Sequence, residues 1–105
     1  MLTTQEVEQF ARLTLKQWNL SDVTVRWVDR SYYGAANVWK NQIEISRKSL
    51  TSFERFSLVL RHEIAHFLDY RERGTFERNG RNDFHGASFK RWCKVLGVSS
   101  SRFVY

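Results

Sequence analysis

The sequence predicts a small α+β domain with an N-terminal helix, a three-stranded mainly antiparallel sheet, a long helix and a C-terminal helix. Two observations carry this. Apolar residues recur at helical spacing near both ends and across residues 52–72. Between the first two helical stretches, short runs alternate with period two and are rich in β-branched residues. A chain of 105 residues has room for one such core, so residues 1–105 are expected to form a single domain.

Each element has its own signal. Thr3-Thr4-Gln5-Glu6 is a capping box, with Thr3 as N-cap and Glu6 three residues on. Val7, Phe10, Ala11, Thr14 and Trp18 follow on one face, which predicts a helix over 4–18 that stops at Asn19. Ser21-Asp22 reads as a turn. Residues 23–28 alternate, with Val23, Val25 and Trp27 on one face of a strand. Residues 32–39 form a weaker second strand, Lys40-Asn41 a turn, and residues 42–46 a third strand that pairs with the second as a hairpin. Ser49 or Thr51 is expected to cap the next helix, over 52–72, with Arg71 and Arg73 near its negative end and Gly74 closing it. Residues 74–84 read as a loop. Gly86-Ala87-Ser88 opens a last helix, where Phe89, Trp92, Cys93 and Leu96 share one face and Gly97 terminates it.

Charge and cysteine content narrow the function classes. The net charge of +6 is uneven: residues 1–70 carry nine Lys/Arg against eight Asp/Glu, and residues 71–105 carry eight against three. A basic C-terminal third favours a polyanion partner, and nucleic acid is the commonest inside a cell. The single cysteine, Cys93, excludes an internal disulfide and a multi-cysteine zinc ribbon. No segment is long and apolar enough to span a membrane. The first ten residues, MLTTQEVEQF, lack the pattern of a secretory signal. A cytoplasmic protein is expected.

The chemistry lies in LRHEIAHFLDY, residues 60–70, which contains His62-Glu63-Ile64-Ala65-His66. Residues four apart on a helix lie on one face, with Cβ atoms roughly 6 Å apart, so both imidazoles can reach one ion. Glu63 lies about 60° round from His66, poorly placed as a ligand but able to touch a water on the ion. Zinc lowers the pKa of such a water toward ~7, and a carboxylate base can take its proton. A catalytic zinc also needs a third protein ligand and one open position. Residues 69 and 72 are Asp and Glu rather than the Gly and His of a metzincin extension. The candidates for third ligand are His85, Asp69, Glu72, Glu77 and Asp83.

Three stretches, QIEISRKSL, LRHEIAHFLDY and HGASFKRW, resemble the SprT-like metalloprotease family, with the match spanning about 42–96 and Gly34-Ala35-Ala36 extending it. In that family a His-Gly-x-x-Phe/Trp pattern follows the zinc helix, and His85-Gly86-Ala87-Ser88-Phe89 fits it. The resemblance implies a zincin-like fold and a zinc-dependent endopeptidase that cleaves DNA-bound or crosslinked proteins. His62, His66 and His85 then hold one catalytic Zn2+ and Glu63 is the catalytic base. Many members continue into a zinc ribbon. With only Cys93 here, DNA contact, to single-stranded or structured DNA, falls to the basic residues Arg71, Arg73, Arg78, Arg81, Lys90, Arg91 and Lys94.

Further roles follow by residue type. Trp39, Tyr32, Tyr33 and Phe76 can pack the core and hairpin, or stack on bases. Tyr33, Tyr70 or a neighbouring Arg can stabilise an oxyanion. Cys93 reads as a buried thiol. The strand over 42–46 is a candidate sheet edge for an extended substrate. Two other function classes compete: a nucleic-acid-binding module with a structural or vestigial zinc site, and a zinc hydrolase unrelated to DNA.

Overall fold

The computed structural model describes residues 2–73, 77–78, 81–82 and 86–101, with the backbone alone at 73, 77–78 and 81–82. Helix α1 spans Thr4–Gln17. Thr3 caps it as expected, its hydroxyl accepting the Glu6 N–H at 3.2 Å. Val7, Ala11, Thr14 and Leu15 are its buried residues, and Asn19 ends the turn in the left-handed region at φ 61°.

The sheet holds β1 (Thr24–Val28), β2 (Gly34–Asn37) and β3 (Gln42–Ser46) in the order β1-β3-β2. The β2–β3 pair is the expected antiparallel hairpin, closed through Asn41 at φ 49°. The β1–β3 pair, in contrast, is parallel, with Thr24 opposite Gln42 and Val28 opposite Ser46. The expectation of a mainly antiparallel sheet is corrected on this point: one of its two pairings is parallel. Alternation along a strand specifies which face is buried and carries no information on direction. The expected edge is also corrected. Strand β3, with Ile43 and Ile45 fully buried, is central, and β1 and β2 form the edges. Of the three strands β3 is the most buried, as befits the one paired on both sides.

A 3-10 turn, Arg47–Thr51, leads into α2, Phe53–Arg73. Ser52 is the cap, its hydroxyl accepting the Arg55 N–H at 3.0 Å. Ser49, one of the two expected caps, is buried instead and donates to the Tyr33 carbonyl at 2.9 Å. Helix α2 runs through the middle of the molecule and contacts α1, β2, β3 and the last helix. Phe56, Val59, Leu60, Ile64, Ala65 and Phe67 are fully buried along it. Phe10 packs edge-on against Phe53 and Phe56, with ring centroids 4.7 and 5.8 Å away.

After α2 come two-residue strands, β4 (Glu77–Arg78) and β5 (Arg81–Asn82), paired antiparallel where a loop was expected. The dipeptide between them in the sequence, Asn79-Gly80, is of a type favoured in two-residue hairpin turns. Gly74 and Phe76 lie outside the described residues. Helix α3, Ala87–Leu96, buries Ser88, Phe89, Cys93 and Leu96 against α2 and ends at Gly97 in the left-handed region. Among the described residues no helix is long and apolar enough to cross a membrane.

Candidate metal centre

Helix α2 carries His62, Glu63 and His66 near its midpoint, and all three are buried. The two imidazole centroids lie 5.2 Å apart with the rings nearly perpendicular, at 82°. Phe89 of α3 backs both. It stacks on His66 at 4.1 Å and 16°, and meets His62 edge-on at 5.2 Å. The phenyl ring of the His-Gly-x-x-Phe pattern therefore walls the histidine pair in this fold.

His62 is oriented from behind. Its Nδ1 stands 3.0 Å from the carbonyl oxygen of Ser99. A carbonyl only accepts, so a hydrogen bond here requires the neutral tautomer with its proton on Nδ1 and its lone pair on Nε2.

Glu63 faces the sheet edge. A Cβ added at Gly34, the first residue of β2, would lie 3.2 Å from Glu63 Oε2 and 2.7 Å from Val59 Cγ1. Glycine is needed here for close approach, because any side chain would push α2 off β2. Burial pushes the Glu63 carboxyl up to about 8, because desolvation penalises the charged form. Cys93 shares this region. Burial, then the Glu63 and Asp69 carboxylates, push its thiol up to about 12. A thiol so weakly acidic is a poor nucleophile or ligand, which fits the buried structural role expected for it.

The alternatives for third ligand separate. Asp69 is fully buried on α2, one turn beyond His66. Glu72 is engaged at the surface, accepting from Ser88 Oγ at 3.1 Å and from Arg91. These contacts, Arg91 foremost, hold its carboxyl below the ordinary range and tie α2 to the N-terminal half of α3. His85 and Asp83 lie outside the described residues, as does the side chain of Glu77. Among the described residues, no three His, Cys, Asp or Glu side chains are grouped to hold a metal ion.

The expected nucleic-acid residues are in different states. Arg71 makes a two-pronged contact with Asp22, at 3.1 and 2.7 Å, and holds that carboxyl below its ordinary range. Arg91 is paired with Glu72. Lys90 and Lys94 are exposed on α3, and the side chains of Arg73, Arg78 and Arg81 lie outside the described residues. Trp39 stands 70 % exposed in the β2–β3 turn rather than in the core. The Tyr33 ring lies beneath the Lys48 and Arg55 cations, at 4.5 and 4.8 Å. Tyr32 donates to Glu44 Oε1 at 2.8 Å, and Tyr70 is half-buried.

Nothing local in the sequence signals Gly34 as a contact of Glu63, Ser99 as a partner of His62, or the role of Arg61. Arg61 donates from Nη1 to the Leu96 carbonyl at 2.7 Å and from Nε to the Ser57 carbonyl at 3.3 Å. A separate groove of about 670 Å³ lies between α1 and β1, lined by Glu8, Arg12, Lys16 and Val25 among others, and none of the histidine-site residues borders it.

Comparison with curated proteins and with solved structures finds no match. The family model described as SprT-like family matches residues 3–104, nearly the whole chain, and this metalloprotease-related domain therefore belongs to the SprT-like family.

Proposed function

We propose that the chain is a zinc-dependent endopeptidase of the SprT-like type that acts on DNA-bound or crosslinked proteins. The observation that carries this reading is the burial of two imidazoles and a carboxylate side by side on one helix, with Phe89 of a second helix packed on both imidazoles. The donor set suits zinc, for which imidazole nitrogen is a preferred ligand. His62 and His66 would hold the ion, with His85 of the His-Gly-x-x-Phe pattern as third ligand. Bound there, zinc supplies Lewis-acid chemistry, polarising the oxygen of a water or of a scissile carbonyl.

Glu63 acts as the base. Its carboxylate takes a proton from the attacking water and returns it to the leaving amine. Burial raises its proton affinity and a neighbouring cation lowers it, so the two opposing effects bring the group toward the working pH range. An extended substrate has an edge to join, since β2 borders the sheet and begins against Glu63.

DNA association is supported by the net charge of +6 and by Lys90 and Lys94 on the exposed side of α3. One observation favours a second reading, a zinc hydrolase that does not use this patch for DNA: Arg71 and Arg91 are already occupied by Asp22 and Glu72.

Metal content tests the proposal. Protein purified without added zinc should carry one equivalent, lost in His62→Ala, His66→Ala and His85→Ala. Zinc retained in folded His62→Ala and His85→Ala would remove the triad.

A further inference from the structure

The Ser99 carbonyl reaches His62 because of how the chain leaves α3. Gly97 adopts φ 73°, ψ 33°, and its N–H returns to the carbonyls of Cys93 and Lys94. The Val98 N–H also bonds to the Cys93 carbonyl, at 2.9 Å, so the chain reverses tightly rather than running on. Arg61, adjacent to His62 in α2, holds the Leu96 carbonyl at the start of this reversal. Beyond it, the Ser101 N–H bonds to Ser99 Oγ at 3.0 Å and shapes the segment locally. The result is a backbone oxygen 37 residues away in sequence aimed at one nitrogen of a buried imidazole.

We propose that the segment 97–101 is a positioning element for the metal site: Arg61 and left-handed Gly97 aim the Ser99 carbonyl at His62 Nδ1, which fixes the ring orientation and the tautomer whose lone pair lies on Nε2. This inference rests on the zinc reading for its purpose and on the present contacts for its geometry. Hydrogen bonds of this kind to the second ring nitrogen orient a metal-binding histidine and raise its basicity, and losing one costs roughly 10–100-fold in metal affinity. Arg61 and Gly97 are positioning residues; they act through His62.

Two measurements test it. The first is the tautomer of His62 in metal-free wild-type protein at alkaline pH, read by long-range 15N–1H correlation and assigned against His62→Ala. The Nδ1–H form is expected, and the Nε2–H form would overturn the proposal. The second is zinc affinity by chelator competition. Gly97→Val, a β-branched residue forced to positive φ, should bind roughly 10–100-fold more weakly. Gly97→Asn should bind like wild type, because Asn tolerates that conformation and, among the described residues, an added Cβ meets only Arg61 Nη1, at an ordinary 3.5 Å. Arg61→Met, which keeps the apolar stem, should fall between them and serves where Gly97→Val does not fold. Wild-type affinity in folded Gly97→Val, or in Arg61→Met if Gly97→Val is unfolded, would overturn the positioning role. If wild-type protein binds no zinc, the zinc reading fails, and the tautomer still decides whether Ser99 sets the ring.

Discussion

Replacing Glu63 with glutamine should remove a large part of the metal-free protein's response to pH between 4.5 and 8. Burial pushes the native carboxyl up to about 8 from an ordinary value of 4.5. The sign follows from proton binding. Below pH ~4.5 both native and unfolded chains hold the proton, and Glu63 contributes no pH dependence. As pH rises through ~4.5 the unfolded chain releases it while the native chain keeps it, so unfolding gains and stability falls until pH reaches about 8. At pH 7 this is a span of some 2.5 pH units at 1.36 kcal/mol each, or about 3 kcal/mol. A glutamine side chain has the same shape and no titration, so that slope disappears. Urea unfolding in the presence of a chelator, at steps between pH 4.5 and 8, should show Glu63→Gln gaining about 3 kcal/mol over wild type by pH 7. A gain of that size raises the Tm of a domain this small by more than about 10 °C. Parallel profiles for the two proteins would show that the carboxyl is not desolvated as described. Added zinc should shrink the difference, because a neighbouring cation favours the ionised form.

Other perturbations test separate contacts. Gly34→Val should destabilise the fold by roughly 1–3 kcal/mol through overpacking against Val59, Glu63 and the Glu44 carbonyl, with unchanged urea midpoints as the contrary result. Phe89→Ala removes a fully buried ring and should cost about 3–5 kcal/mol, together with a weaker zinc affinity from the loosened histidines; native stability would contradict the packing described. Lys90→Ala and Lys94→Ala should each reduce the slope of log affinity for DNA against log salt by about 1 if these side chains contact phosphate, and an unaltered slope would clear α3 of that role.

The parts of this fold that can be read from sequence are those set by local spacing. The Thr3 cap, the α1 face at Val7, Ala11 and Thr14, and the α3 face at Phe89, Cys93 and Leu96 all follow from residues within a few turns of one another. The His62, Glu63 and His66 arrangement is local for the same reason. Direction and edge position are not local. Strand β1 lies beside β3 on the side that the β2–β3 hairpin leaves free, and runs parallel to it; no alternation in residues 23–28 encodes that direction. Ser52 caps α2 in place of Ser49 because Ser49 is drawn inward to the Tyr33 carbonyl, a tertiary contact 16 residues away. The paired β4 and β5 could have been inferred from Asn79-Gly80, a signal that composition alone blurred into a loop. The supporting contacts of the site, Gly34 against Glu63 and Ser99 against His62, join residues 29 or more positions apart and emerge only when the helices and sheet close together.

Peptide cleavage by the zinc-loaded protein is the most direct test of the central claim, measured with and without single-stranded DNA and with a chelator control. The account predicts cleavage by wild type, its abolition by the chelator, and its loss in Glu63→Gln with zinc content retained. Cleavage at the wild-type rate by zinc-loaded Glu63→Gln, or activity indifferent to zinc removal, would contradict it.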